Sequence, residues 1–247
     1  TENGRKVRAM FIPRDEERIL LAADYSQIEL RVIAALAKDD AMIAAFQAGE
    51  DIHRATAAKV FEVAPEEVTR EQRSNAKTVN FGIVYGVSAF GLSQQTDMSR
   101  KEAKAAIDGY FRTYPGIKKY MDDQVAFARN HGYVETITGR RRYLKDIESR
   151  NAVVRGHSER NAVNAPIQGS AADIIKLAMI EVDRAIRAAN MKSKMLLQVH
   201  DELVFDAYKD ELDELKALVV EKMEAAVSLE VPMVAEVGTG SNWLAAH

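Results

Sequence analysis

Short apolar runs cluster at the two ends of this chain, and helical periodicity fills the stretch between them. Residues 19–23 (Ile-Leu-Leu-Ala-Ala) read as a buried strand ending at Asp24. Near the other end, residues 195–199 and 203–205 read as two more strands, with His200, Asp201 and Glu202 at the tight connection between them. Residues 231–237 read as a last strand. Strands at both ends and helices in the middle predict an α+β fold, an antiparallel sheet with a large helical insertion.

Inside that insertion the punctuation is specific. Helical spacing runs from about Gln27 to Lys38. Pro65-Glu66-Glu67 reads as the first turn of a helix, and Ser99 with Glu102 as a capping box. Pro115-Gly116 breaks the chain before a helix that ends near Gly132. A hairpin is expected around Thr138-Gly139. Residues 155–164 are helical, Pro166 is expected to interrupt them, and a helix resumes over 169–189. A charged helix is expected at about 210–226. No internal repeat or long Gly/Ser linker occurs.

Composition narrows the classes. At 247 residues the chain holds one to two domains. Its 47% hydrophobic and 29% charged residues exclude wholesale disorder. No apolar run approaches the ~18 residues of a membrane span, so no membrane crossing is expected. Cysteine is absent, which excludes disulfides, thiolate metal sites and a cysteine nucleophile, and permits a reducing cytoplasm. Residues 112–160 carry 11 Lys+Arg against 6 Asp+Glu, and residues 201–230 carry 3 against 10. That asymmetry is either a polyanion path beside a metal site or two solvated faces of opposite sign. The opening Thr1-Glu2-Asn3-Gly4-Arg5-Lys6 resembles neither a signal peptide nor a starting methionine, and a piece of a longer polypeptide is expected.

Three constellations carry candidate chemistry. Asp24, in Asp24-Tyr25-Ser26-Gln27-Ile28-Glu29-Leu30-Arg31, puts a carboxylate at a strand end, suited to a hard divalent cation. Taken alone, Asp24 is better read as the cap of the following helix. In residues 73–86, Arg73, Lys77, Phe81 and roughly Tyr85 recur at i, i+4, i+8 and i+12 on one helix face. Two cations there suit phosphates, and an aromatic suits a sugar or base. The alternative is an amphipathic helix whose basic residues snorkel. Asp201-Glu202, between apolar strands, is a paired-carboxylate site or plain turn chemistry. Together, Asp24 and Asp201 on neighbouring strands with a basic stripe opposite them suit in-line phosphoryl or nucleotidyl transfer with two metals.

These three motifs, in this order and spacing, resemble the signature motifs of the bacterial family A DNA polymerases, the DNA polymerase I type. The resemblance extends over essentially the whole chain, through Phe11-Ile12, Asp51-Ile52-His53, residues 160–173 and Asn242-Trp243. It implies template-directed addition of deoxynucleotides to a primer 3′-OH with release of pyrophosphate. It implies two Mg²⁺ ions, replaceable by Mn²⁺, held by Asp24, Asp201 and the Tyr25 carbonyl, with Glu202 as a supporting catalytic carboxylate. Arg73 and Lys77 would grip the triphosphate, Lys77 also as acid for the leaving group. Phe81 would lie against the incoming sugar, and Tyr85 would occupy the template-base position until the finger helix closes. Glu29 would block a 2′-hydroxyl, and Gln27 and His53 would line the nucleotide pocket. Arg160, Asn164, Gln168 and His200 would read the minor groove of the primer–template DNA.

The resemblance also implies a right-hand architecture without its thumb: palm over residues 1–44, fingers over 45–150, palm again over 151–247. An upstream thumb and exonuclease-type portion is then an expected partner, beside DNA and dNTPs, in a bacterial cytoplasm at the nucleoid. A DNA-binding fragment with little activity of its own, for want of the thumb, is the alternative. Single-subunit RNA polymerases share the palm, but residues 25–29 match the DNA-synthesising branch.

Overall fold

The structure, a computed structural model, describes residues 2–247. The chain opens with helix α1 (Glu2–Ala9) and strand β1 (Arg18–Tyr25). A helical stretch follows: α2 (Ile28–Ala37), α3 (Asp40–Gln47), α4 (Ile52–Val60), α5 (Arg70–Val84), α6 (Ala89–Ser93), α7 (Arg100–Thr113) and α8 (Pro115–His131). A short hairpin, β2 (Tyr133–Glu135) and β3 (Arg141–Tyr143), leads into the 37-residue helix α9 (Ala152–Ala188). Strands β4 (Lys194–Val199) and β5 (Glu202–Tyr208), helix α10 (Leu212–Glu224), strand β6 (Ala235–Gly240) and helix α11 (Trp243–Ala246) complete it. Among the described residues no helix is long and apolar enough to cross a membrane.

Two compact units divide the chain: residues 1–28 with 171–247, and residues 29–170. The first holds the α+β sheet expected from the sequence, four antiparallel strands in the order β4-β5-β1-β6. Strand β1 lies between β5 and β6, and Leu20, Leu21, Ala22 and Ala23 are buried on both its faces, so it reads as a continuous apolar run. Leu20, Ala22 and Val204 share one face with Trp243 and Ala246. On the other face Leu21 stands opposite Phe205 and Ala23 opposite Leu203, and the Tyr25 hydroxyl reaches the Met223 carbonyl of α10. Gly238 is required where β6 meets α11: a Cβ there would stand 2.2 Å from the Ala246 carbonyl oxygen.

The second unit packs helices. Asp39 caps α3 through the Met42 amide (3.0 Å) and also accepts from the Gly116 amide of α8 (2.9 Å), so one buried carboxylate ties two helix starts. The hairpin packs on the first half of α9, with Val134, Leu144, Ile147 and Ala162 in one cluster. The Ser170 hydroxyl accepts from the Ile137 amide at 3.0 Å. The bounds at 44/45 and 150/151 implied by the resemblance both fall inside this second unit.

Three local expectations are corrected. Pro166 does not interrupt α9: it deletes one donor, while Ala162, Val163, Ile167 and Ile174 around it are buried and hold the helix. Pro65-Glu66-Glu67 forms an isolated 3₁₀ turn, and α5 starts afresh at a Thr69/Gln72 capping box. The last strand begins at Ala235, not at Val231; Val231 and Met233 are apolar because they are buried, and the intervening Pro232 lacks a ladder donor.

Candidate active site

The sheet unit brings Asp24 and Asp201 together. Asp24 is the penultimate residue of β1, opposite Glu202 on β5. Asp201 lies in the turn between β4 and β5, next to His200, whose φ of 55° takes the left-handed bend. The Tyr25 amide donates to the Asp201 carbonyl at 3.2 Å, which fixes that turn against the end of β1. Burial pushes Asp24 up to about 6, and the charges of Asp201 and Glu202 and a hydrogen bond with Asp201 push the same way, against a lowering by His247. The end of β1 and the β4–β5 turn thus place two carboxylates beside each other, at an electrostatic cost to Asp24.

Glu202 is oriented differently. It is 3% exposed and accepts from the indole Nε1 of Trp243 at 2.7 Å. Arg8 approaches it at 3.9 Å and His247 at 3.4 Å. Its charge is thus satisfied from within the protein, and it buttresses the pair. Tyr25 sends its side chain to the α10 face, where burial pushes its phenol well above the ordinary range. Among the described residues no group of three or more His, Asp or Glu side chains forms a metal site. The donor set at this strand end is two carboxylates plus backbone carbonyl, which fits Mg²⁺, an ion that takes one or two carboxylates and keeps several waters.

The helical unit carries the cations. Asp51 accepts the His53 and Arg54 amides (3.0 and 3.2 Å) as the N-cap of α4, and its second oxygen accepts from Arg73 Nε at 2.6 Å. Burial works against the Asp51 charge, but Arg73 and the two amides prevail and hold its carboxyl below the usual range. Lys77, one turn along α5, is exposed and has no ion-pair partner among the described residues. Lys77, Phe81 and Tyr85 line one cavity of ≈ 480 Å³ with Ser74 and Gln95. Three members of the expected stripe thus share this cavity while Arg73 turns to Asp51, and α5 ends at Val84 with Tyr85 as its C-cap.

His53 lies behind this face rather than on it. It is 3% exposed, its ring 5.8 Å from that of Phe81, and burial lowers its pKa to about 4. The Tyr85 hydroxyl donates to Glu29, and with burial this raises Tyr85 to about 12, partly offset by a hydrogen bond with Gln168. Gly86 follows at φ 73°, and a Cβ there would stand 3.0 Å from the Arg160 side chain. Arg160, Asn164 and Gln168 recur at four-residue spacing on α9; the buried Oδ1 of Asn164 has no hydrogen-bond partner. Gln27, at φ 55° just before α2, and the exposed His200 belong to the sheet unit. Sequence reasoning missed the anchoring of Arg73 by Asp51, the indole donor to Glu202, and Asn80. Asn80 left one signal, an amide in mid-helix between Val79 and Phe81.

Comparison with known proteins agrees over the whole length. The profile of DNA polymerase family A matches residues 1–245. The chain is 56% identical over 243 residues to DNA polymerase I of Streptococcus pneumoniae and 52% identical over 242 residues to DNA polymerase I of Geobacillus stearothermophilus. Each match covers 98% of this chain and 28% of the relative, so the chain spans a little over a quarter of the length of these relatives. It is similar to a solved structure described as the POL domain of Pol1 from M. smegmatis in complex with DNA primer-template and dNTP. That similarity has a TM-score of 0.94 and 48% identity, covering 100% of this chain and 43% of that one. On a family match of this extent, the chain belongs to DNA polymerase family A.

Proposed function

We propose that this chain adds deoxynucleotides to the 3′-OH of a primer paired to a DNA template, releasing pyrophosphate. The observation that carries the reading is the Asp24–Asp201 pair: the end of β1 and the β4–β5 turn bring two carboxylates together, burial and the neighbouring charge push Asp24 to about 6, and such a pair suits a divalent cation. Asp24, Asp201 and the Tyr25 carbonyl would hold two Mg²⁺ ions, or Mn²⁺ in their place. Bound there, the ions would lower the pKa of the primer hydroxyl and neutralise charge on the phosphates.

The chain's own residues do the rest. Glu202, already paired with Trp243, keeps the strand end rigid and adds no free ligand. Arg73, its guanidinium fixed by Asp51, and Lys77, unpaired on the same face, bind the triphosphate. Lys77 is the proton donor to the departing pyrophosphate. Phe81 offers a ring face to the sugar, with His53 packed behind it. Glu29, held by the Tyr85 hydroxyl, excludes a 2′-hydroxyl by clash, and Gln27 completes the nucleotide pocket. Arg160, Asn164, Gln168 and His200 contact the minor groove at the primer end. The palm and fingers labels attach to the sheet unit and the helical unit, and the setting is the cytoplasm. A primer-extension assay with Mg²⁺ and each dNTP in turn tests the reading. Template-dictated addition, lost in Asp24→Ala and Asp201→Ala while DNA binding persists, is expected. DNA binding without extension would make the chain a binding module instead.

A further inference from the structure

Behind the Phe81 face of α5 runs a buried polar chain that the proposed reaction does not use directly. The Tyr114 hydroxyl lies 3.1 Å from Thr56 Oγ1, Thr56 Oγ1 donates to Asn80 Oδ1 at 3.1 Å, and Asn80 Nδ2 lies 2.9 Å from His53 Nδ1. All four residues are buried. The proton order is determined. Thr56 has one proton and gives it to Asn80, so Tyr114 must donate to Thr56. With its oxygen occupied, the Asn80 amide presents its N–H₂ to His53, so His53 Nδ1 accepts and Nε2 carries the proton.

We propose that Asn80 and Thr56 are positioning residues for the incoming nucleotide: the Tyr114–Thr56–Asn80–His53 chain locks His53 as a neutral Nε2–H ring and thereby sets Phe81 and the Asp51–Arg73 anchor. The coupling is local. His53 sits two residues after Asp51, which holds Arg73, and its ring packs on Phe81. Protonation at Nδ1 would set donor against donor at Asn80. The charged and titratable groups around the ring are Asp51 on α4, Arg73 and Lys77 on α5, and Tyr114 at the end of α7 through the chain. Burial and the two cations keep the ring neutral, against Asp51. The inference rests on the polymerase reading, and its test separates the two.

The test has two readouts on the full chain: nitrogen NMR of His53, and KM and kcat for dNTP in primer extension. The wild type should show the Nε2–H tautomer and no titration of His53 near the ordinary value of about 6.5. Asn80→Asp should convert His53 to the Nδ1–H form and let it titrate near or above that value. Thr56→Val should raise KM about 5- to 10-fold with kcat within about twofold, on the scale of one broken buried hydrogen bond. Thr56→Ser, which keeps the hydroxyl, should restore KM, and Tyr114→Phe, which deletes only the outer hydroxyl, should give an intermediate KM. An Nδ1–H ring in the wild type, or KM unmoved in both Thr56→Val and Tyr114→Phe, would overturn the proposal. A wild-type protein with the Nε2–H ring and no extension would instead overturn the polymerase reading and leave the tautomer lock standing.

Discussion

At the scale of single residues, Asp24 carries opposed consequences for stability and function. Its folded pKa of about 6 lies above its ordinary 3.8. Between those values the folded state binds more protons than the unfolded one. Its contribution is fully present below pH 3.8 and is lost as pH rises through 6. Asp24→Asn removes the cost of burying that charge beside Asp201 and Glu202, so it should raise metal-free stability at pH 7 while abolishing nucleotide addition. Urea melts of both proteins at pH 4, 5.5 and 7 check this, and Mg²⁺ should close the gap by stabilising only the wild type. Glu29 and Tyr85 form a second pair. Glu29→Ala should raise ribonucleotide incorporation relative to deoxy, and Tyr85→Phe should do so more weakly, because it frees the Glu29 carboxylate without removing it. Single-nucleotide kinetics with matched rNTP and dNTP check both. Asp24 was legible because a strand end is written in the residues before it. The Trp243–Glu202 bond was not, because it joins residues 41 apart across two elements.

At the scale of elements, α4 and α5 form one device joined by Asp51. Asp51→Asn keeps a capping oxygen but removes the charge that holds Arg73. It should raise KM for dNTP about tenfold and cost the fold less than about 1 kcal/mol. Steady-state kinetics beside a denaturant melt separate the two effects. Buried His53 adds an acid-sensitive component: its folded pKa of about 4 lies below its ordinary 6.5. Stability from it is present above pH 6.5 and lost as pH falls through 4, opposite in sign to Asp24. The Asp24→Asn background exposes it as acid destabilisation in the same melts, and His53→Gln in that background should flatten the curve. Elements with local signals were legible: β1 from its apolar run, α7 from its capping box, the β2–β3 hairpin from Thr138-Gly139. The continuity of α9 through Pro166 was not, because it depends on the burial of Ala162, Val163 and Ile167 by distant partners.

At the scale of the whole molecule, the chain has two compact units: Asp24 and Asp201 lie in the sheet unit, and Arg73 and Lys77 lie in the helical unit. With a net charge of -3, the DNA binding proposed for this chain would have to draw on the local excess of Lys and Arg over residues 112–160. Affinity for primer–template should fall steeply with salt, and Arg160→Ala should lower the slope of log K against log salt by about one. A fluorescence titration at several salt concentrations checks it. The antiparallel sheet with a helical insertion was legible because the strand runs lie at the two chain ends. The division at 28/29 and 170/171 was not, because the ties from Asp39 to Gly116 and from Ile137 to Ser170 are tertiary. On the proposed function, Asp24 and Asp201 make this chain a template-directed polymerase. The most direct measurement is single-nucleotide extension of a labelled primer in Mg²⁺, with four templates that differ only in the next base. Addition of only the complementary dNTP on each template, and none by Asp201→Ala, is expected. Addition that ignores the template, or that survives in Asp201→Ala, would contradict it.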